Sequence, residues 1–239
     1  MERKLPPKNK KMLPKKNGRS KKPRQKLLKI YRRLGKAYGP QGWWPAEGNF
    51  EMIVGAILTQ NTSWSNVTRA LGNLQRAGLL SPKKMEGLAA GELCGYIRPS
   101  GYFRQKSRTL KEFLRFLRKE YDGNLEKMLA SGQEELRAGL LGVRGIGPET
   151  ADSIVLYAGR YPIFVIDAYT GRIFRCQGLI AEGAKYAEIQ GMVMASLEPD
   201  ERLFNEFHAL LVRLGKTHCR KAPRCEGCPL IRDRVSSID

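Results

Sequence analysis

Apolar residues recur every three to four positions along most of the chain, which is the spacing of one face of an α-helix. The clearest examples are residues 27–34, with Gly35 as a stop signal, and residues 50–58. One short apolar run, 163–166, could form a strand, but no other segment offers it a sheet. The pattern therefore predicts an all-α fold, with further helices over 64–74, 82–90, 105–121, 133–140, 168–176 and 204–214.

Positive charge dominates the composition. The 239 residues include 43 Lys and Arg against 23 Asp and Glu, a net charge of +20. This excess favours a polyanionic partner, because each phosphate that a protein neutralises releases condensed counterions. A membrane surface would attract the same charge, but the sequence has no apolar run near the ~18 residues that a span requires. We therefore expect nucleic acid as the partner, and no membrane.

The N-terminal segment carries more than half of the net charge. Residues 1–26 hold twelve Lys and Arg and one acid, with almost nothing apolar to bury. Such a composition predicts a disordered basic tail. Three roles are open for this tail: an arm that contacts DNA, a nuclear-import signal if the source has a nucleus, or a solvated end without a function. It lacks the apolar region of a secretory signal. We expect a monomer in the cytoplasm, associated with the nucleoid, or in the nucleus of a eukaryote.

A glycine-rich turn separates two of the predicted helices. Gly145 and Gly147 lie two positions apart, and Pro148 follows at the first position of the next helix. Glycine permits a positive φ or a close approach to a ligand, and proline at this position is pre-set for helix entry. Backbone N–H groups here, at the positive end of a helix, suit a DNA phosphate. An ordinary helix–helix turn is the alternative. Together with Arg144, both glycines are predicted to bind DNA without reading its sequence.

This turn and the segments around it carry a resemblance to a known family. Residues 143–151, followed by Val165-Ile166-Asp167-Ala168-Tyr169, resemble the helix-hairpin-helix and Gly/Pro-plus-Asp region of the endonuclease III superfamily of DNA glycosylases. The likeness extends from residue 27 to residue 230. It implies two all-α lobes with the active-site cleft between them. One lobe is 48–160, ending in the hairpin, and the other combines 27–47 with 161–239.

Asp167 is the catalytic candidate that the resemblance implies. In the family, this aspartate stabilises the cationic sugar formed as a flipped base leaves, and helps water to attack. A plain helix N-cap is the alternative role, and the two roles are compatible. Bifunctional members also carry a lysine on the helix after the hairpin. The matching residue here is Glu149, which cannot form an imine. This departure predicts a monofunctional enzyme, although another lysine, such as Lys106, could substitute.

The tryptophans suggest the substrate. Trp43, Trp44 and Trp64 are either core anchors or a stacking pocket, with Glu149 beside them, for an extruded base. The segments Trp-Trp-Pro and Thr-Gln-Asn-Thr resemble a 3-methyladenine glycosylase subgroup, which implies an alkylated purine. A cationic purine leaves without a strong general acid, and the sequence shows no obvious one. Gln60 is the candidate for a DNA-binding residue that enters the gap left by the flipped base. Alternatively, Gln60 has no role in binding and only ends a helix.

Three of the five cysteines crowd into ten residues, which favours a reduced compartment and a metal site over disulfides. Cys219, Cys225 and Cys228 resemble the C-terminal [4Fe–4S] loop of the superfamily. The interval between Cys219 and Cys225 is one residue shorter than the corresponding interval in the superfamily. Arg234 stands where the fourth cysteine would be. An incomplete cluster, zinc held by three cysteines and a histidine, and a metal-free remnant all stay open. The fourth-ligand candidates are His218, Asp233, solvent and Cys176.

Three functions are compatible with these features. The preferred one is a monofunctional glycosylase that releases an alkylated purine from double-stranded DNA. The second is a bifunctional glycosylase and lyase for oxidised pyrimidines. The third is a helix-hairpin-helix protein that binds DNA without catalysis.

Overall fold

A computed structural model describes residues 21–220 and 222–233 of the chain. Within these ranges every regular element is helical, as the hydrophobic pattern predicts. Short 3-10 helices at Arg98–Ser100 and Ile231–Asp233 supplement the α-helices. These are α1 (Lys21–Tyr38), α2 (Asn49–Thr59), α3 (Trp64–Arg76), α4 (Pro82–Gly87), α5 (Ala90–Ile97), α6 (Phe103–Tyr121), α7 (Leu125–Leu129), α8 (Gln133–Gly142), α9 (Pro148–Tyr157), α10 (Ala168–Cys176), α11 (Tyr186–Ser196) and α12 (Glu201–Thr217).

Helix α1 corrects both ends of the first predicted helix. It begins at Lys21, so residues 21–26 of the predicted disordered tail are helical. Pro23 lies in the first turn, where its missing N–H would have no helical partner. Gly35 does not stop the helix, which continues for three more residues to Tyr38. The rest of the predicted tail, residues 1–20, lies outside the described ranges.

Other helices also differ from the pattern. The helix predicted over 82–90 ends at Gly87, and the separate helix α5 begins at Ala90, where the Glu92 carboxylate accepts a hydrogen bond from the backbone N–H of Ala89. Helices α5 and α7 were not predicted, and neither was α11. Its buried residues, Ile189, Val193 and Ser196, form a stripe too narrow to stand out from the sequence.

The apolar run 163–166 is a buried extended loop and not a strand. Side chains of α11 satisfy its backbone in place of a sheet. Gln190 donates to the carbonyl oxygen of Phe164 at 2.8 Å, and the Tyr186 hydroxyl accepts from the N–H of Ile166 at 3.5 Å. Buried backbone groups need such partners. The loop is therefore fixed immediately before Asp167.

The helices pack in two groups that meet around one cleft. In the first group, α1 lies against α11 and α12, and α10 lies against α12. In the second, α2 lies against α3, α6 and α9, and α8 lies against α9. Contacts between α9 and α12 join the groups. The result is the predicted two-lobed arrangement, although the domain boundaries at 47/48 and 160/161 stay a prediction.

Four fully buried phenylalanines form the centre of the first group. Their rings lie 5.4–6.4 Å apart, and each burial stabilises the fold by about 1.5–3 kcal/mol. They are Phe164, Phe174, Phe204 and Phe207. In the described part of the chain, no helix is both long and apolar enough to cross a bilayer.

Candidate active site

The hairpin between α8 and α9 has two glycines with different roles. Gly145 has a φ of +95°, and a Cβ there would overlap the hydroxyl of Thr109 on α6. Gly147 has a φ of −94°, and a Cβ there would meet nothing within 4 Å. Only Gly145 is therefore required by the protein's own packing. The open space beside Gly147 is on the side from which a ligand can approach.

Unused backbone donors line the same turn. Among the described residues, no acceptor receives a hydrogen bond from the N–H groups of Arg144, Gly145 or Gly147. Pro148 opens α9 at its first turn, as predicted, so these N–H groups lie at the positive end of a helix. The Arg144 side chain is exposed. The arrangement can accept an anion such as a phosphate.

Gln60 connects the end of α2 to the hairpin. Its amide nitrogen donates to the carbonyl oxygen of Gly145 at 3.1 Å and to Oγ1 of Thr150 at 2.9 Å. These two bonds hold α2 against the turn, which neither sequence interpretation anticipated. In this structure the Gln60 side chain braces the hairpin.

A cleft of about 1010 Å³ lies beside the hairpin, where the two helical groups meet. It brings together most of the residues that the sequence nominated, whereas Arg144 and the cysteines are not part of its lining. The nominated lining residues are Trp43, Trp44, Gln60, Trp64, Gly145, Gly147, Glu149 and Asp167.

Asp167 is the N-cap of α10, and its carboxylate faces the cleft. Oδ1 accepts the N–H of Thr170 at 2.7 Å, and Oδ2 lies 3.7 Å from Nε2 of His208. The side chain is only 13% exposed. The N-cap interpretation is confirmed, because one oxygen caps the helix. The other oxygen faces the cleft, and the catalytic role of Asp167 stays a prediction.

His208 and Tyr157 form a buried pair behind Asp167. The Tyr157 hydroxyl is hydrogen-bonded to Nδ1 of His208. Burial raises the pKa of Tyr157 well above its usual value, and the Asp167 charge raises it further, so the phenol keeps its proton. A hydrogen on Nε2 of His208 would face the Asp167 carboxylate favourably, whereas a lone pair there would be repelled. The geometry therefore favours the tautomer in which Nε2 carries the hydrogen and Nδ1 accepts from Tyr157. Burial lowers the pKa of His208, against the opposing effect of Asp167, which favours a neutral ring.

The sequence interpretation missed this pair. His208 follows Phe207 on the buried stripe of α12, and Tyr157 is the last residue of α9. A histidine at a core position of an amphipathic helix is a signal that could have been weighed. The partner, 51 positions away, could not be known without the fold.

The tryptophans form one side of the cleft and also anchor it. The Trp44 ring lies 5.3 Å from Trp43, 5.1 Å from Trp64 and 5.2 Å from Tyr157, measured between centroids. It also covers Gly55 of α2, where a Cβ would lie 3.5 Å from the indole nitrogen. All three indoles are half-buried. They are packed against each other and against the core, while their remaining surface faces the cleft.

Burial lowers the pKa of three of the described lysines, Lys106, Lys111 and Lys216, and of these three only Lys216 lines the cleft. Lys216 of α12 lies with its ammonium 5.3 Å from the Trp43 ring. Burial lowers the pKa of Lys216, Asp167 raises it, and Arg213 lowers it. Lys106, by contrast, is buried away from the cleft and donates to the carbonyl oxygens of Leu58 and Ser100. Burial lowers the pKa of Lys106 to about 8, and its contacts brace the end of α2.

Glu149 occupies the first turn of α9 and is open to the cleft. Its carboxyl group makes no hydrogen bond or ion pair with any described residue. The surrounding protein desolvates it and the Asp167 charge repels it, so that its pKa rises to about 7. Two carboxyl groups, one of them with a raised pKa, thus face one cavity, a pattern typical of acid–base chemistry.

A buried carboxylate holds α9 in place beneath this site. Asp152 is fully buried and accepts two bonds from Arg137 of α8, at 2.6 and 3.2 Å. The Tyr186 hydroxyl and the Gln190 amide of α11 each donate to the same carboxylate at 2.7 Å. This network joins α8, α9 and α11, so it fixes the hairpin relative to the loop that carries Asp167.

Four of the five cysteines, Cys176, Cys219, Cys225 and Cys228, lie near the end of α10. Arg172 donates to the carbonyl oxygen of Cys219 at 2.8 Å, which holds the C-terminal loop against that helix. Cys176, the last residue of α10, is close enough that its thiol raises the pKa of Cys219 and of Cys228. The donors have the chemistry that a cluster needs. In the ranges described, however, no three His, Cys, Asp or Glu side chains are arranged to hold a metal ion.

An all-helical fold, a hairpin with unused backbone donors, an aspartate that caps a helix and an aromatic cleft together suit an enzyme that acts on nucleic acid. Residues 54–199, more than half of the chain, match the family described as "HhH-GPD superfamily base excision DNA repair protein". The chain belongs to this superfamily, and it is a DNA glycosylase of base excision repair.

Individual relatives agree with this assignment. The chain is 45% identical over 206 residues to a Methanocaldococcus jannaschii protein whose name assigns it provisionally to the DNA repair glycosylases, covering 85% of this chain and 93% of the relative. It is 27% identical to endonuclease III of Sulfolobus acidocaldarius, covering 77% and 80%.

Solved structures agree with the fold. A 3-methyladenine DNA glycosylase of H. pylori bound to 1,N6-ethenoadenine is 28% identical, with a TM-score of 0.69 over 81% of this chain and 97% of that one. A trapped endonuclease III–DNA covalent intermediate has a TM-score of 0.76 over 88% and 95%. At 19% identity this second likeness concerns the fold alone.

Proposed function

We propose that the enzyme hydrolyses the N-glycosidic bond of an alkylated purine and leaves the DNA strand intact. The observation that carries the proposal is the residue on the helix after the hairpin. Glu149, a carboxyl group, lines the cleft opposite Asp167 where a lyase would need an amine. Water is then the nucleophile, and the product is an abasic site.

Asp167 performs the chemistry in this proposal. The Thr170 N–H holds Oδ1 of this side chain at the N-terminus of α10, which leaves Oδ2 for the cleft. As the base leaves, this carboxylate stabilises the positive charge that develops on the sugar and takes a proton from the attacking water. The hairpin binds a phosphate beside the flipped nucleotide and thereby holds the sugar at Asp167.

The aromatic side of the cleft supports a purine. Flipping a base costs a few kcal/mol, and stacking on aromatic faces recovers about 1–3 kcal/mol per base. The half-buried rings of Trp43, Trp44 and Trp64 offer such faces. The H. pylori relative, whose name specifies 3-methyladenine, was solved with a modified adenine. This likeness supports an alkylated purine over other damaged bases.

Lys216 supports a second candidate function. A lysine with a lowered pKa in the cleft has the properties of an imine-forming nucleophile. If its amine attacked the sugar, the enzyme would be a bifunctional lyase, and oxidised pyrimidines would be its expected substrates. Its ammonium lies over the Trp43 ring, so an attacking role requires the side chain to leave that contact.

Single-turnover incubation separates the two functions. Duplexes carrying 3-methyladenine, 7-methylguanine, thymine glycol or uracil are scored separately for released base and for strand scission. We expect release of the methylated purines without scission, and no covalent adduct on borohydride reduction. A borohydride adduct that disappears in Lys216→Met would establish the lyase instead.

Asp167→Asn tests the catalytic group. Base release is expected to fall by about 10²–10⁴-fold, while duplex binding is retained. Asp200→Asn is the matched control, because Asp200 caps α12 through the N–H of Leu203 in the same way. Asparagine caps helices as well as aspartate does. Unchanged base release in Asp167→Asn would refute the mechanism.

A further inference from the structure

We propose that Glu149 is the general acid that protonates the leaving base, which extends the substrate class to neutral modified purines. This inference rests on the function proposed above and deepens it. The sequence offered no obvious acid, and a cationic alkylated purine needs none. The geometry supplies an acid at the N-terminal turn of α9.

The first step is the position of the side chain. Glu149 and Asp167 line the same cleft, and the charge of Asp167 acts directly on Glu149. The Glu149 carboxyl group has no partner among the described side chains. A carboxyl group left without a hydrogen bond beside a ligand cavity is available to the ligand.

The second step is the protonation state. Desolvation, followed in size by repulsion from Asp167, raises the pKa of Glu149 to about 7. The N-terminus of α9 favours the ionised form, and the two opposing effects outweigh it. The other titratable or charged groups that line the cleft are Asp167, the N-cap of α10, Tyr169 of α10, Tyr186 of α11, and His208 and Lys216 of α12.

The third step is the chemistry of the leaving group. When the bond from C1′ to N9 of a neutral purine breaks, its electron pair goes to the base. Glu149 gives its proton to a ring nitrogen of that base, so the base departs neutral and Glu149 becomes a carboxylate. Water then bonds to C1′, its proton goes to Asp167, and solvent returns a proton to Glu149. A cationic alkylated purine departs neutral without this proton.

The two protonation states of Glu149 therefore serve different substrates. The acid form is needed for a neutral purine, and its population falls as the pH rises through about 7. The carboxylate form attracts a cationic base instead. Release of a neutral base should consequently fall across this range, whereas release of a cationic base should not.

The experiment compares the release of 1,N6-ethenoadenine, a neutral base, with that of 7-methylguanine, a cationic base, between pH 5.5 and pH 8.5. Rates are single-turnover rates on duplex DNA. For Glu149→Gln we expect release of the neutral base to fall by about 10²-fold or more and to lose its pH dependence. Release of the cationic base should fall less, by about tenfold at most, through loss of charge attraction.

Glu134→Gln is the matched control, since Glu134 occupies the second position of α8 as Glu149 does in α9, but is exposed away from the cleft. It should change neither rate. Equal losses on both bases in Glu149→Gln would make the residue structural and overturn the inference. The inference would also be overturned if the wild-type protein released 7-methylguanine but no neutral base at any pH. That result would leave the proposed function intact. The proposed function itself fails if the wild-type protein does not release the cationic base.

Discussion

Nε2 of His208 lies 3.7 Å from Oδ2 of Asp167, although 41 positions separate the two residues in the sequence. Nδ1 of the same ring is hydrogen-bonded to Tyr157, so the tautomer places a hydrogen between the ring and the carboxylate. We expect this neutral histidine to orient Asp167. It is a positioning residue, because its contact is with the carboxylate and not with the base.

Substitution of His208 tests this role. His208→Leu should lower kcat for base release by about tenfold or more with little change in KM, since only the transition state uses the oriented carboxylate. His208→Gln, whose amide can still donate to Asp167, should recover part of the loss. A purely structural role predicts that both variants lose stability and KM alike. Single-turnover rates and urea unfolding distinguish these results.

The raised pKa of Glu149 predicts a dependence of stability on pH. A carboxyl group whose pKa is higher in the folded than in the unfolded state favours folding when protonated. Its effect becomes unfavourable as the pH rises from 4.5, the usual pKa of a glutamate, through about 7. Glu149→Gln should therefore be more stable than the wild type at pH 8, and nearly equal to it at pH 4. Urea unfolding at both pH values measures the difference, and equal effects at both would contradict the raised pKa.

The ion pair beneath the site should be important for stability. Arg137→Ala leaves the carboxylate of Asp152 buried with only the Tyr186 and Gln190 donors, and should lower the free energy of unfolding by about 3 kcal/mol. Arg115→Ala is the control.

Arg115 also pairs with a carboxylate, that of Glu112, but on the surface. Its loss should cost about 0–1 kcal/mol. Urea unfolding measures both losses. If Arg137→Ala and Arg115→Ala lowered the free energy of unfolding equally, burial of the ion pair would not be important for stability.

The two hairpin glycines should separate folding from DNA binding. Gly145→Ala forces a Cβ into the hydroxyl of Thr109 at a positive φ, so it should destabilise the fold by about 1–3 kcal/mol. Gly147→Ala meets no protein atom and should change stability by less than about 1 kcal/mol.

Gly147→Ala should nevertheless weaken duplex binding, because its Cβ occupies the space in which a phosphate would approach. Fluorescence anisotropy with an undamaged duplex measures this effect. Normal binding by Gly147→Ala would show that phosphate does not contact this face of the turn.

The end of α10 supplies a test of the cofactor. If a [4Fe–4S] cluster forms, Cys176 is the candidate for its fourth thiol. Burial raises the pKa of Cys219 and of Cys228, and the nearby charge of Cys176 adds to both shifts. Cys176→Ser should then lower the iron and acid-labile sulfide content of protein purified without oxygen as much as Cys219→Ser does. Cys94→Ser, far along the chain, is the control. Zinc without sulfide in the wild type would exclude the cluster.

The sequence by itself determined the helical class, the hairpin and the capping aspartate. Each of these depends on local physics: helical spacing of apolar residues, a proline at the first turn after two glycines, and an aspartate before a helix. The predicted bounds of α10 agree with the structure for the same reason, since Asp167 caps it and its apolar face is continuous. Boundaries failed where the signal was weak, as at Lys21 and at α11.

Tertiary structure alone decided which side chains act together. His208, Lys216 and Tyr186 come from two helices, and only packing brings them to the cleft beside Asp167. Packing also places Tyr157 of a third helix against His208. The acidity of Glu149 is decided in the same way. Desolvation and the charge of Asp167 depend on distances in space, which no spacing along the chain contains. The sequence therefore nominated Asp167, and the fold supplied the groups that orient it and the acid that completes the reaction we propose.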